Sequence, residues 1–285
     1  MIIKTKDPKP ASNKFEQAGD AAEEQMAFYL RRAFGDSPDV FVLNDLRLVE
    51  GEDAAQIDHL VLHTYGIFII ESKSVSGEVT VNEHDEWVRK WGNQRTGMPS
   101  PIQQANRQGE FLRKLLNDNC EQLRDKYILG LLQGGFKHCP IDICVAISDR
   151  GVINRRGTNP PELCKADHVC DRIKQEIERH RKGSKLLSKS DGNYGVYSFR
   201  PQETERIKAF LLARHSPLVV TVSSPKTQPP PPPVMARPVE VTPRAEHKPV
   251  ASQTAVTTAR EAATCKHCGS ADLQATYGQY GYYFK

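Results

Sequence analysis

The sequence lacks any uninterrupted apolar run long enough to cross a bilayer, and its start, "MIIKTKDPKPASNKFEQ", has no extended apolar core of the kind an export leader needs. These absences predict a cytoplasmic chain with no membrane contact. A polybasic arm is missing too: the formal net charge of +4 permits nucleic-acid binding without announcing it. Seven cysteines without a leader read as reduced thiols, buried residues or metal ligands rather than as a disulfide framework. No internal repeat is present. Nothing in the sequence specifies an oligomeric state.

With 285 residues, 38% of them hydrophobic, the chain suffices for one sizeable core with appendages. Residues 14–215 alternate apolar periodic segments with short turns, as a folded domain does. Residues 216–264 change texture: "SSPKTQPPPPPVMARPVEVTPRAEHKPVASQTAVTTAREAAT" contains no aromatic residue, and Pro229 to Pro233 favour an extended polyproline spacer. This segment is expected to be a disordered linker. Residues 265–285, "CKHCGSADLQATYGQYGYYFK", return to a folded composition.

Within the main domain, "AGDAAEEQMAFYLRRAFG" places Met26, Ala27, Leu30, Ala33 and Phe34 on one helical face and stops at Gly35. Strands are predicted over Phe41–Val49, Gln56–Thr64 and Ile67–Val75, the last two joined across a Tyr65–Gly66 turn. "GEVTVNE" forms a short further run, followed by Trp87, expected in the core or a lid. "SPIQQANRQGEFLRKLLND" reads as a second helix with Pro101 in its first turn, and "IDICVAI" as a later buried strand. This order predicts an α/β or α+β domain.

Three ionisable residues stand out because of where they fall. In "QIDHLVL", Asp58 interrupts an apolar strand; in "GIFIIESKSVSG", Glu71 and Lys73 close one. Positions i and i+2 of a strand share a face about 6.6–7 Å apart, so Glu71 and Lys73 stand side by side while Ser72 points away, which argues against a serine nucleophile. Across the expected turn, Asp58 falls on the same face, diagonal to Glu71 or opposite it if a bulge intervenes. Two carboxylates and an ammonium suit a magnesium or manganese ion and a phosphodiester. They equally suit a semi-buried salt-bridge network without catalysis. His59 and His63 have the opposite parity and are expected to be structural or on the surface.

The run "QIDHLVLHTYGIFIIESKSVSGEV" followed by "EWV" resembles the NERD (nuclease-related) domain of the PD-(D/E)xK nuclease superfamily, over roughly Lys14 to Gly130. The resemblance implies a restriction-endonuclease-like α/β core, a central mixed sheet flanked by helices. It also implies a Mg²⁺- or Mn²⁺-dependent nuclease acting on DNA before RNA, in DNA processing or repair. Asp58 matches the family aspartate, and Glu71-Ser72-Lys73 the E-x-K motif, so Asp58 and Glu71 become the metal ligands. The family's helix-one glutamate falls on Glu23, with Glu24 as the alternative, and its proline-then-glutamine pattern selects Gln104. On their own residues, Glu23 would simply favour a helix start and Gln104 an exposed helix face.

"HCPIDIC" and "CKADHVC" lack the C-x₂-C spacing of common structural zinc sites, so their cysteines are expected to be buried or incidental. "CKHCGS" has that spacing. With the hairpin-like "YGQYGYYF" it resembles the C4 zinc ribbon of bacterial type I topoisomerases, which implies Zn²⁺ on Cys265 and Cys268 and a nucleic-acid partner. Two thiolates make an incomplete site, so the pattern predicts a second C-x-x-C beyond Lys285 and at most a loose hairpin over Gln274–Lys285. Two rival readings stay open: a catalytically silent nucleic-acid-binding protein, and an adaptor whose proline run recruits a protein partner.

Overall fold

The computed structural model describes residues 1–8, 13–127, 130–183, 197–218, 275–278 and 281–284. Most of the proline-rich segment, together with Cys265 and Cys268, lies outside the described residues. The chain divides into two units, Met1–Val222 and Ser223–Lys285.

In the first unit, β1 (Ile2–Lys4) precedes α1 (Lys14–Phe34). Asn13 caps α1 by accepting the Phe15 and Glu16 N–H groups, and Ala22, Met26, Leu30 and Phe34 form its buried stripe at four-residue intervals. A meander follows: β2 (Val40–Glu50), β3 (Asp53–His63) and β4 (Gly66–Lys73). Next come β5 (Glu78–Val81), β6 (Trp87–Trp91), β7 (Gln94–Met98), α2 (Pro101–Asp118) and α3 (Cys120–Leu123). The unit continues through β8 (Lys126–Tyr127), β9 (Leu132–Gln133), β10 (Ile141–Ile147), β11 (Val152–Asn154) and β12 (Leu163–Lys165). It ends with α4 (Ala166–Gly183) and α5 (Pro201–Arg214). In the second unit, β13 (Ala275–Gly278) and β14 (Gly281–Phe284) pair antiparallel.

Six strands form a mixed central sheet in the order β1-β2-β3-β4-β10-β12. The β2–β3–β4 meander is antiparallel, whereas β10 runs parallel to both β4 and β12. Strands covered on both faces must be apolar throughout, which explains why the "GIFIIE" portion of β4 is buried from Gly66 to Glu71. One face packs under α1 and α4, with Met26, Leu30, Val61, Phe68, Ile70 and Ile173 in a common core. The other packs under α2 and α5, through Leu60, Ile69, Leu112, Leu116, Ile207 and Leu211. Each fully buried Leu, Ile or Phe contributes roughly 1.5–3 kcal/mol over exposure, so the two layers hold the sheet rigid. The result is a mixed α/β fold with helices on both faces of a central sheet, consistent with an α/β nuclease-like architecture. No helix among the described residues is long and apolar enough to cross a membrane.

The expected turn is corrected by one residue. His63 pairs with Gly66, so the turn is Thr64–Tyr65 and Gly66 belongs to β4. The glycine is needed for close packing: a Cβ there would meet the Pro140 carbonyl oxygen at 2.6 Å, and Ile67 donates to that same oxygen at 3.0 Å. Several short elements, among them β1, β6 and β7, are not expected from the sequence. β1 is only three residues long, and β6 and β7 continue β5 into a second sheet of order β11-β5-β6-β7.

Candidate active site

With the turn at Thr64–Tyr65, the β3–β4 register runs from His63↔Gly66 to His59↔Ile70, and one more rung sets Asp58 opposite Glu71 with no bulge between them. The irregularity lies on the other side of β3. Asp45 in β2 has φ +55°, and there the alternation slips: Leu43 and Leu46 enter the same core, as do Ile57 and Leu60. Asp45 is held in this conformation by the Gln56 side-chain amide, which donates to its carboxylate at 2.6 Å. Asp58 thus sits at the one rung, opposite Asp45, where the otherwise continuous β2–β3 pairing is interrupted, and its Oδ2 accepts the Ser72 backbone N–H at 2.8 Å.

Glu71 is 2% exposed. Its two oxygens have different partners: Oε1 receives the Lys73 ammonium at 2.5 Å, and Oε2 receives the Gln108 side-chain amide at 3.1 Å. Lys73 Nζ also donates to Gln104 Oε1 at 3.2 Å. Gln104 and Gln108 lie one helical turn apart on α2, so a single helix face presents both amides to the E-x-K strand end. Gln108, which also donates to the Gln56 carbonyl at 2.6 Å, was not singled out in the sequence. Its signal was the i, i+4 repeat of Gln104 on a face whose other members are apolar.

Asp58, Glu71 and Lys73 open onto a cleft of about 430 Å³, lined also by Glu23 from α1; Gln104 and Gln108 contact this set without lining the cleft. Glu24, the alternative to Glu23, is exposed and does not line it. Glu23 pairs with Lys6 at 3.0 Å; Lys6 also binds Asp20. Burial, and next the negative charges of Glu71 and Glu23, push the Asp58 carboxyl well above its usual range. Among the described residues, no group of three His, Cys, Asp or Glu side chains is disposed to hold a metal ion. The two-carboxylate set of Asp58 and Glu71 nevertheless has the chemistry that Mg²⁺ favours, since that ion keeps several waters and takes one or two carboxylates.

The remaining sequence candidates are structural. His59 and Ser72 share the opposite sheet face and meet at 3.1 Å, with Asn44 on the other imidazole nitrogen at 2.7 Å. Both His59 and His63 are buried, which corrects the surface alternative, and burial depresses each pKa to about 3. Trp87 is in the core between the two sheets. Cys139 belongs to one face of the central sheet, whereas Cys144 and Cys170 belong to the other.

No curated protein and no solved structure matches the chain. Residues 18–133, which carry Glu23, Asp58, Glu71, Lys73, Gln104 and Gln108, match the family model of the nuclease-related domain, NERD, and this part of the chain is therefore similar to that domain.

Proposed function

We propose that this protein is a metal-dependent nuclease that hydrolyses phosphodiester bonds of DNA, and less readily of RNA. The observation that carries the reading is the opposed pair Asp58 and Glu71, with Lys73 beside them, at the base of an open cleft within the segment similar to a nuclease-related domain. Asp58 and Glu71 would hold Mg²⁺ or Mn²⁺, an ion that polarises a phosphodiester and lowers the pKa of bound water.

The chain's own groups do the rest. An ammonium has three N–H donors; Lys73 spends one on Glu71 and one on Gln104, which leaves one for the attacking water or a phosphate oxygen. Gln104, accepting through its oxygen, keeps its NH₂ for a phosphate. Gln108 fixes the Glu71 carboxylate, and Glu23 closes the α1 side of the cleft. In this arrangement the water attacks phosphorus, its proton leaves to solvent or a neighbouring base, and the departing oxygen takes the electron pair of the broken P–O bond. The zinc-ribbon resemblance at Cys265 and Cys268 adds a Zn²⁺-dependent nucleic-acid contact to the same proposal.

One observation favours a second reading. The short Lys73–Glu71 contact is what a silent structural ion pair would show, and the protein would then bind nucleic acid, or recruit partners through its proline run, without cutting. Incubation with a panel of single- and double-stranded DNA and RNA, with Mg²⁺, Mn²⁺ or chelator, separates the two. We expect Mg²⁺- or Mn²⁺-dependent cleavage that Glu71→Gln abolishes; cleavage that survives Glu71→Gln, or none from the parent, defeats the nuclease reading.

A further inference from the structure

The cleft has a wall that the chemistry above does not use. β6 and β7 form a hairpin around the two-residue turn Gly92–Asn93, with Gly92 at φ +54°. Its two tryptophans have opposite surroundings. Trp87, at the root, packs among Val79, Val81, Val145 and Ile147, while Trp91, at the tip, is 66% exposed although it lines the cleft. The hairpin is not a loose arm: a Cβ on Gly77 would meet the Lys90 carbonyl oxygen at 2.2 Å, so the backbone following the E-x-K strand is pressed directly against it. Phe15, in the first turn of α1 and 88% exposed, lines the same cleft.

Charge accompanies the aromatics. From Trp87 to Met98 the chain carries Arg89, Lys90 and Arg95 and no acidic residue. Arg89 rests on the Met98 sulfur, and Glu78, which pairs with Lys90 in register, is hydrogen-bonded by Asn154 at 2.7 Å. Among the described residues no ion pair within 4 Å engages Lys90 or Arg95, although the Asn154 amide first and the Lys90 charge after it hold the Glu78 carboxyl below its usual range. The acidic residues Glu83, Asp85 and Glu86 lie in the turn at the far end of β6, away from the tip.

From this arrangement we infer that the β6–β7 hairpin is the binding wall for a single-stranded nucleic acid: Trp91 stacks on an unpaired base while Lys90 and Arg95 neutralise the adjoining phosphates. An indole face can lie on a base only where that base has left its stack, and stacking with flanking cations is how single strands are held without sequence readout. The cleft, of about 430 Å³, has the volume of a pocket for a small ligand and holds a nucleotide or two. Phe15 offers a second apolar face to the neighbouring base. The inference rests on the nuclease reading for the position of the scissile phosphate, over Asp58 and Glu71; the binding surface itself does not.

The chain has two tryptophans, so Trp87→Phe leaves Trp91 as the sole fluorophore. The probes, titrated in chelator to prevent cleavage, are an oligodeoxyuridylate and an oligouridylate of about 12 nucleotides, a duplex of equal length and polyglutamate. We expect quenching by the single strands with an affinity at least about 10-fold above that for the duplex, and a similar loss in Trp91→Ala, read from the anisotropy of a fluorescein-labelled strand. The Lys90→Ala/Arg95→Ala double variant should lower the log–log salt slope by about 1.4. The tighter of the two single strands identifies the sugar. If Trp87→Phe fails to fold, parent-minus-Trp91→Phe difference spectra give the same readout. Equal quenching by duplex or polyglutamate, or unchanged affinity in Trp91→Ala, overturns the inference. Metal-dependent cleavage by the parent alongside Trp91-independent binding would sink the hairpin's role and leave the nuclease reading standing; Trp91-dependent binding without any cleavage would do the reverse.

Discussion

Two buried ion pairs in this molecule have opposite surroundings. Arg124 and Glu203 meet at 3.3 Å in a closed setting: the guanidinium lies 4.9 Å and 5.0 Å from the ring centres of Tyr197 and Phe199. Glu203 also accepts the backbone N–H groups of Asp125 at 2.8 Å and Arg200 at 2.7 Å, tying the start of α5 to the chain after α3. Lys73 and Glu71 meet at 2.5 Å but face a cleft, beside a second carboxylate whose neutral form is favoured, and Lys73 keeps one donor uncommitted. The first pair is enclosed by the protein, with Glu203 satisfied by backbone N–H groups although Arg124 Nε itself lies outside hydrogen-bond geometry, whereas the second faces a cleft. Breaking an enclosed pair leaves a buried charge stranded, whereas a pair that faces a cleft can, on the function proposed above, be completed by a partner from outside.

That contrast can be broken by mutation. The largest expected effect is on chemistry: Lys73→Ala should lower Mg²⁺-supported cleavage by about 10³-fold, which is about 4 kcal/mol. Its unfolding free energy in chelator should fall by less than about 3 kcal/mol, the upper end for a hydrogen bond to a charged group. A loss of about 3–5 kcal/mol would make the pair structural like the other one. Arg124→Ala should show the converse, a stability loss of about 3 kcal/mol or more in urea melts, with cleavage per folded molecule unchanged.

A third buried group sharpens the comparison because it is held neutral. His63 has its pKa depressed from 6.5 to about 3, first by burial and then by the nearby His180. The unfolded imidazole takes up a proton that the folded one refuses, so this contribution is intact above pH 6.5 and is lost as the pH falls towards 3. His63→Leu should therefore flatten the fall of urea midpoints across that range, leaving the part due to His59; an unchanged slope would count against it. The smallest effect has the opposite sign. Asp58→Asn keeps an oxygen for the Ser72 N–H while removing repulsion with Glu71 and Glu23, so the variant, inactive in cleavage, should be about 1 kcal/mol more stable at neutral pH without metal. A destabilised Asp58→Asn protein would mean that the carboxylate is bound into the fold as Glu203 is.

Asp58, Glu71 and Lys73 were legible in the sequence because a charge inside or at the end of an apolar strand is rare enough to be noticed, and two-residue periodicity alone puts them on one face. The order of helix and strand and the stripe on α1 follow from the same local rules. The Tyr65–Gly66 turn that the sequence suggests differs from the structure because Gly66 answers to the Pro140 carbonyl, far away in sequence, and not to a turn. Gln108 went unseen since a glutamine on a helix carries no mark of which strand end it will meet. Trp87 and Trp91 could not be told apart, having the same residue type and the same strand parity. The sequence by itself determined the charges, the periodicities and the change of texture after the first unit, because these are properties of neighbours along the chain. Only the tertiary structure decided which ion pair is enclosed, which amides reach Glu71 and which tryptophan is left at the rim of the cleft, because burial is set by segments that pack from elsewhere in the chain.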